Sequence, residues 1–391
     1  MLKDRAILTL SVTQTLVWAA LFYIFPALLL RWEAAFHWSR ADLTLGITCA
    51  TLASALGAPI AGRIIDKGHG AALMGLAPAL GGLGLIALSQ VGALWQFYAL
   101  WLLIGLTQAG SLYDACFAMV THTRGAAAKR GIVLITLVAG FAGTISFPTM
   151  HYLSEAFGWR MATALAGLAI LLVVAPAQGL AARSLQRGRP APPPPDATAP
   201  RPRNFLRRPA FWLLAFGFAM LAIVHGTVLN HLLPLLAERG LPLEFAVLIA
   251  ALIGPMQVAG RLAMVATGQR FDHRQFMLTS FAMIAIAVTF LRFGGDTRAL
   301  IVAFVLLYGS AWGTVSILRP VITRDILGEA NFGAKSGSIA LIFLAGVAMS
   351  AYFGSLIWAW VGYGALLVIL IAMAIAGALF YTAAHRLAAR G

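Results

Sequence analysis

Residues 209–236 read PAFWLLAFGFAMLAIVHGTVLNHLLPLL and contain no Asp, Glu, Lys or Arg. A helix needs about 20 apolar residues to cross the hydrocarbon core of a bilayer, so this run is long enough to span one. Eleven further runs of that size lie near residues 6–30, 43–62, 71–90, 93–119, 131–154, 161–182, 244–267, 275–292, 299–322, 334–358 and 363–385. Lipid offers no partner for backbone groups, so the sequence predicts an all-α membrane protein with twelve transmembrane helices.

The composition excludes an ordinary soluble enzyme. Of the 391 residues, 61% are hydrophobic and 10% are charged, whereas a soluble domain carries about 25% charged residues. The net charge of +15 comes mostly from loops between the apolar runs, so we expect a lipid bilayer and no nucleic acid as partner. The two cysteines lie inside apolar runs, and no HExxH or GxSxG motif is present. We therefore expect no disulfide framework, no metal, no other cofactor and no enzymatic activity.

Basic residues predict the orientation of the chain. If both termini are cytoplasmic, twenty Lys and Arg residues fall in cytoplasmic segments and six in outer segments. This asymmetry follows the positive-inside rule and predicts a multi-pass protein of the inner (cytoplasmic) cell membrane with both termini in the cytoplasm. Residues 184–208, rich in Arg and Pro, then form a cytoplasmic linker between a six-helix bundle at 1–183 and a second at 209–391.

The two halves repeat each other weakly. Matching positions in spans 4 and 10 share an offset of 205 residues: Thr107 with Trp312, Ser111 with Ser316, and Asp114 with Arg319. In a continuous helix, this i, i+4, i+7 spacing places each trio on one face. Other matches follow in the same order along the chain, among them residues 61–63, AGR, after span 2 with residues 259–261, AGR, after span 8. The repeat predicts two pseudo-symmetric bundles.

The loop after span 2 carries a recognisable motif. Residues 62–68, GRIIDKG, are similar to the loop 2–3 signature of the major facilitator superfamily, and residues 158–160, GWR, are also typical of it. With the twelve spans and the central loop, the chain resembles that superfamily over nearly its whole length. The resemblance implies two bundles that rock about a site at the membrane midplane. It also implies a cytoplasmic gate, to which we assign Arg63, Asp66, Lys67 and, in the second half, Arg261.

Two short segments indicate a branch of the superfamily. Residues 37–42, HWSRAD, and 230–234, NHLLP, resemble segments of the monocarboxylate and oxalate/formate branches. Spans 4 and 5 lack the arginine and the Gly-Pro signature of proton-antiporting drug exporters. We therefore favour a proton-coupled transporter of a small organic anion, monocarboxylate-like. An exporter of a drug, metallophore or other metabolite by proton antiport is the alternative, and a non-transporting membrane sensor is a second one.

Asp114 is the one acidic residue of thirteen that we place inside the membrane, since Glu244 is the first residue of its run and we assign it to the outside. Because a charge inside a membrane costs at least about 2.5–3.5 kcal/mol, Asp114 should face a cavity or a partner. We interpret it as a proton carrier, with a structural ion pair as the alternative. Arg319, at the mirror position, would bind an anionic substrate or pair with Asp114, since guanidinium holds carboxylate through two hydrogen bonds; snorkelling to the surface is its other reading. His231 is a second candidate proton carrier, because histidine titrates near neutral pH; an interhelical hydrogen bond is its alternative role.

Other polar and aromatic side chains of the spans complete the candidate substrate site. In the superfamily, spans 1, 4, 7 and 10 line the cavity, so their polar groups would face it. The candidates are Gln14, Trp18, Tyr23, Gln108, Tyr113, Asn230, Gln257, Tyr308 and Trp312, with Arg319. Packing is the alternative role for the aromatic members. We expect a monomer whose partners are a small-molecule substrate, protons and the bilayer.

Overall fold

The computed structural model describes residues 4–125, 128–187, 204–267, 272–328 and 332–388, which are almost entirely helical and contain no β-strand. The helices are α1 (Arg5–Leu21), α2 (Ile24–Phe36), α3 (Arg40–Ile64), α4 (Gly70–Leu88), α5 (Leu94–Ser111), α6 (Tyr113–Arg124), α7 (Ala128–Ala139), α8 (Ala142–Ala169), α9 (Ala175–Arg187), α10 (Pro209–Glu238), α11 (Leu243–Thr267), α12 (His273–Phe293), α13 (Arg298–Leu327) and α14 (Phe332–Ala388). Short π-helical segments connect these helices at two places: Ile65–His69 between α3 and α4, and Ile170–Val174 between α8 and α9.

Within these described ranges, nine helical segments are long and apolar enough to cross a membrane. Three are too long for one crossing: Arg40–Leu88 with 49 residues, Arg130–Arg187 with 58, and Lys335–Ala388 with 54. At about 1.5 Å per residue, each would exceed twice the roughly 30 Å hydrocarbon core. Each contains a glycine with left-handed backbone, namely Gly68, Gly158 or Gly362, where the helix is interrupted. Divided there, the described residues form twelve span-length segments, so the predicted twelve-helix membrane fold is confirmed.

Span 1, which the sequence predicts as one helix, is interrupted between α1 and α2. The break lies at Phe22 and Tyr23, one turn before Pro26. Proline lacks the N–H that would bond the carbonyl four residues earlier, and its ring clashes with that carbonyl. The carbonyl in question belongs to Phe22, so Pro26 accounts for the position of the break.

Span 4 is interrupted as well, at Leu112, whose backbone is extended (φ −86°, ψ −164°). The prediction that Thr107, Ser111 and Asp114 share one helical face is therefore wrong. Thr107 and Ser111 are buried in α5, whereas Asp114 is exposed in the first turn of α6. A common face needs an unbroken 3.6-residue period, which the extended residue ends. The matching trio in the second half lies on the continuous helix α13.

The chain divides into two compact units, residues 1–192 and 193–391. The division falls within the predicted linker, of which residues 188–203, including the Pro192–Pro195 run, lie outside the described part of the chain. Helix α9 continues to Arg187, beyond the predicted bundle end at residue 183, because Leu185 is fully buried in the apolar core of the first unit. The bundle limits taken from the sequence remain predictions.

In the second unit, α11 and α13 touch through glycines. A Cβ on Gly313 would lie 2.1 Å from the carbonyl oxygen of Gln257, and one on Gly260 would lie 2.1 Å from that of Ser310. These distances leave no room for a side chain, so the two backbones are in contact. Small residues allow this close approach, which stabilises helix pairs in lipid by van der Waals packing.

Replacing Gly313 with valine is expected to destabilise the second unit, because the new side chain would collide with the backbone of Gln257. We expect a loss of about 1–3 kcal/mol, measured as a lower unfolding temperature of the purified protein in detergent. Gly337→Val is the matched control, since nothing lies within 4 Å of a Cβ at that helical position. Equal unfolding temperatures for the two variants would contradict the contact.

Candidate functional site

The break in span 4 is stabilised by two glutamines from neighbouring helices. The carbonyl of Ser111, the last residue of α5, accepts hydrogen bonds from Nε2 of Gln14 at 2.7 Å and from Nε2 of Gln178 at 3.0 Å. Gln14 lies on α1 and Gln178 on α9, and both side chains are fully buried. The last carbonyls of a helix have no intrahelical partner, so in lipid the protein must supply one. The two amides meet that need.

The break in span 1 is stabilised in turn by a glutamine of span 4. Nε2 of Gln108, on α5, donates to the carbonyl of Leu21, the last residue of α1, at 2.7 Å. Ser146 donates to the carbonyl of Ala19, also at 2.7 Å. Span 1 thus supplies Gln14 to the break in span 4, and span 4 supplies Gln108 to the break in span 1. Both were predicted from the sequence as substrate ligands, and the structure places their amide nitrogens on backbone carbonyls.

Two amide oxygens at the span 4 break have no hydrogen-bond partner among the described residues. They are Oε1 of Gln14 and Oε1 of Gln178, and both are buried. Buried polar atoms are usually satisfied by the protein, by ordered water or by a ligand. A substrate role for Gln14 is therefore compatible with its structural role, because each role uses a different atom of the same amide.

Asp114 lies at the start of the half-helix α6. It occupies the first turn and is exposed, and the free N–H groups of a helix N-terminus stabilise a negative charge there. At the other end of α6, Nε2 of His122 lies 2.7 Å from the Asp66 carboxylate, and Arg124 lies 2.7 Å from the carboxylate of Asp4. One short helix therefore carries the candidate proton carrier at one end and contacts two loop carboxylates at the other.

An aromatic patch adjoins Asp114 in the first unit. It consists of Trp18, Phe22, Tyr113 and Phe117, all partly exposed. The ring centroids of Trp18 and Tyr113 are 4.9 Å apart, and Tyr113 stacks on Phe117 with an interplanar angle of 14°. Tyr23, at the start of α2, contacts Phe22 edge to face. The structure thus brings the predicted residues Trp18, Tyr23 and Tyr113 close to the two helix breaks.

The four predicted gate residues do not share one environment. Arg63, Asp66 and Lys67 are exposed around the turn at Gly68. Arg261 is 93% buried inside α11, and its Nε donates to the carbonyl of Gly313 at 3.2 Å. The physical reason is helix length. Helix α3 ends one residue after Arg63, whereas α11 continues for six residues past Arg261.

Rings and a guanidinium form a column in the second unit, which we call the aromatic column: His225, Trp312, Phe343 and Arg319. His225 stacks on Trp312 with centroids 3.7 Å apart and planes within 9°. Trp312 is followed by Phe343 at 6.2 Å and 17°. The guanidinium carbon of Arg319 lies over the Phe343 ring, 4.2 Å from its centroid. Such a cation–π contact is worth about 0.5–2 kcal/mol and fixes the position of the charge.

Tyr308 closes the buried end of the aromatic column. Its hydroxyl lies 2.8 Å from Nδ1 of His225, and the two rings are nearly parallel. Tyr308 and His225 are at least nine-tenths buried, whereas Trp312, Phe343 and Arg319 are partly exposed. The column therefore runs from the core of the second unit to an accessible end that carries a positive charge.

His231 makes its hydrogen bonds to α14. Its Nε2 lies 3.1 Å from the carbonyl oxygen of Ala351, and its Nδ1 lies 3.1 Å from the hydroxyl of Tyr363. A carbonyl only accepts, so Nε2 carries a hydrogen and donates it to Ala351. The ring thereby joins α10 to α14. Its proton-coupling role remains a prediction.

Asn230 and Gln257 are the other two predicted ligands of the second unit. The Asn230 amide nitrogen donates to the carbonyl of Gly226 on its own helix at 2.8 Å. Its Oδ1 is buried without a hydrogen-bond partner in the described ranges. Gln257 is buried on α11, where its backbone carbonyl lies against Gly313. Both residues are positioned by helix packing, and their contact with substrate remains a prediction.

Several residues of these clusters are absent from the predicted ligands, among them Gln178, His225 and Phe343. A sequence signal existed for Gln178 and His225, since each is a polar residue within an apolar run. For Phe343 none existed, because it is one of 23 phenylalanines and only the packing of α14 against α13 selects it.

Comparison with known proteins gives one family match. The model of the Major Facilitator Superfamily matches residues 10–333. A curated relative, the MFS transporter asaE of Aspergillus flavus, is 23% identical over 220 residues, which are 55% of this chain and 48% of the relative. The chain thus spans about half the length of that relative.

Solved structures of transporters share the fold. A bacterial homologue of the human lysosomal transporter Spinster, in an inward-facing and unoccupied conformation, is 16% identical with a TM-score of 0.71 and covers 98% of this chain and 97% of its own. A mutant of the nucleoside transporter NupG is 14% identical with a TM-score of 0.75 over 97% of this chain and 99% of its own. At these identities the likeness concerns the fold alone.

The paired glutamines at the span 4 break generate a prediction about stability. Gln14→Leu and Gln178→Leu are each expected to cost about 0.6 kcal/mol, because the Ser111 carbonyl keeps one donor. The double variant is expected to cost about 2–3 kcal/mol, which is more than the sum of about 1.2 kcal/mol, because the carbonyl then loses both donors. Unfolding temperatures in detergent measure this, with the exposed Gln90→Leu as control. Additive losses would contradict a shared role.

Proposed function

Because the chain belongs to the Major Facilitator Superfamily, we propose that it is a secondary active transporter that moves a small organic anion of the monocarboxylate type together with protons. Members of this superfamily are carriers that bind small molecules within a membrane, and they are generally not enzymes. Arg319 carries the proposal of an anionic substrate, because it is a cation within a span, fixed over Phe343 and partly exposed.

The chemistry of guanidinium supports a carboxylate as ligand. Arginine stays charged in a poorly hydrated site and presents a planar set of donors that matches both carboxylate oxygens. A charge within a span is stable only when it faces protein or a water-filled cavity. The ring of Phe343 lies 4.2 Å from the guanidinium carbon of Arg319 and holds the charge in place.

Asp114 supports proton coupling. Its carboxylate is exposed at the N-terminus of α6, where the helix favours the ionised form, and protonation would remove that favourable interaction. Because α6 also contacts Asp66 and Asp4 through His122 and Arg124, a change of charge at Asp114 would bear on the loop that includes the predicted gate. An anion and a proton that move together carry no net charge, which lowers the cost of crossing the membrane.

We further propose that the protein resides in the inner cell membrane with both termini in the cytoplasm. The excess of Lys and Arg in the corresponding loops supports this orientation. In this orientation, symport of a proton and an anion down the proton gradient gives net uptake.

Replacing Asp114 with asparagine is expected to uncouple substrate transport from the proton gradient, because asparagine cannot carry the proton. In proteoliposomes with an acidic exterior, wild-type protein should accumulate labelled carboxylate, whereas Asp114→Asn should keep only substrate exchange. Asp296→Asn, a change at an exposed loop carboxylate, is the control and should accumulate like the wild type. Passive entry of the protonated acid is subtracted with protein-free liposomes. Gradient-driven accumulation by Asp114→Asn at the wild-type level would overturn the proton-carrier role.

Changing Arg319 is expected to weaken substrate binding. Arg319→Lys loses the planar double contact, and Arg319→Ala loses the charge, so we expect the KM for the carboxylate to rise about 10-fold or more. Arg324→Lys, at an exposed position on the same helix, is the control. An unchanged KM in both Arg319 variants would remove this residue from the site.

A further inference from the structure

The aromatic column offers more than a cation for a carboxylate. A short aliphatic acid needs only the guanidinium of Arg319. In the second unit, however, that guanidinium lies on Phe343, and Phe343 is followed by Trp312 with ring planes within 17°. A charged group within a span must face protein or water rather than lipid, so the rings that support it adjoin the same polar environment. Both rings are partly exposed.

The planes of these groups constrain the shape of a ligand. When guanidinium binds a carboxylate through two parallel hydrogen bonds, the carboxylate lies in the guanidinium plane. In an arenecarboxylate, the ring is conjugated with the carboxylate and continues that plane. A ligand of this kind, bound to Arg319, brings a flat aromatic ring close to the charge that Phe343 holds. Offset stacked and edge-to-face contacts with Phe343 and Trp312 are then open to it.

The inner end of the column makes its rings a firm platform. His225 stacks on Trp312 at 3.7 Å and is itself within 2.8 Å of the Tyr308 hydroxyl. Tyr308 is 1% exposed and Phe304 stacks on it, which anchors the column in the core. Rings held in place lose little conformational freedom when a ligand binds, so the stacking energy contributes directly to affinity.

We propose that the substrate is an aromatic carboxylate, whose carboxylate binds Arg319 and whose ring contacts Phe343 and Trp312. This inference rests on the proposed function, namely transport of an organic anion, and narrows its substrate class. It assigns specificity to Phe343 and Trp312 and charge recognition to Arg319.

A matched set of probes tests the proposal on the purified full-length protein in lipid nanodiscs. Benzoate is flat and aromatic, cyclohexanecarboxylate has the same number of carbons but a puckered saturated ring, and benzamide has the ring without the charge. We expect benzoate to bind about 3- to 10-fold more tightly than cyclohexanecarboxylate, which is the range of one or two aromatic contacts. Benzamide should bind weakly or not at all. Isothermal titration calorimetry measures the three affinities.

Two variants locate the preference. Phe343→Leu and Trp312→Leu keep an apolar side chain but remove the ring, so each should reduce the affinity for benzoate toward that for cyclohexanecarboxylate while leaving the latter within about twofold. The matched controls are Phe353→Leu on the same helix, 49% exposed, and Trp360→Leu, 87% exposed, both outside the column. These should bind benzoate like the wild type. Circular dichroism and unfolding temperature check that each variant is folded.

The outcomes separate this inference from the proposed function. Benzoate and cyclohexanecarboxylate bound equally well, both dependent on Arg319, would overturn the aromatic inference and leave the anion transporter standing. A preference for benzoate that survives Phe343→Leu and Trp312→Leu would overturn the assignment to the column. Lack of binding by every carboxylate, with binding of benzamide or of cations, would overturn the proposed function itself.

Discussion

The backbone of this protein must find hydrogen bonds wherever a transmembrane helix is interrupted, since lipid supplies none. Spans 1 and 4, which are both interrupted, supply hydrogen-bond donors to each other's free carbonyl groups. Gln14 of span 1 donates to the carbonyl of Ser111, and Gln108 of span 4 donates to that of Leu21. These bonds stabilise both breaks, and the break at Leu112 gives α6 its free N-terminus at Asp114. The position of the candidate proton carrier therefore depends on a pair of buried amides.

The second unit fixes its charged residue by a different interaction. Arg319 lies on the continuous helix α13 and is held by a ring of α14, not by a helix end. The repeat relates Asp114 and Arg319 by sequence position, yet one is placed by an interrupted helix and the other by aromatic packing. The two bundles thus resemble each other in fold while their charged residues occupy different local structures. This difference suits the separate roles proposed for them, proton coupling by the carboxylate and substrate binding by the guanidinium.

Hydropathy alone predicts most of the fold. A span needs about 20 apolar residues, and this requirement located all twelve segments to within a few residues. Helix breaks are harder to predict. Pro26 offers a physical reason for the break at Phe22. No proline lies near Leu112, and the break there is stabilised by amides of α1 and α9, which are distant in sequence. The repeat likewise did not show that Arg261 is buried within α11, since it aligns positions and not the ends of helices.

Simultaneous recording of substrate and proton movement tests whether the two are coupled. Proteoliposomes that contain a pH indicator are given an external carboxylate at equal starting pH, with protein-free liposomes to subtract passive entry. If protons and the anion move together, protein-dependent uptake acidifies the interior, and the acidification follows the uptake of labelled substrate. Substrate entry that leaves the internal pH unchanged or makes it more alkaline would contradict proton–anion symport.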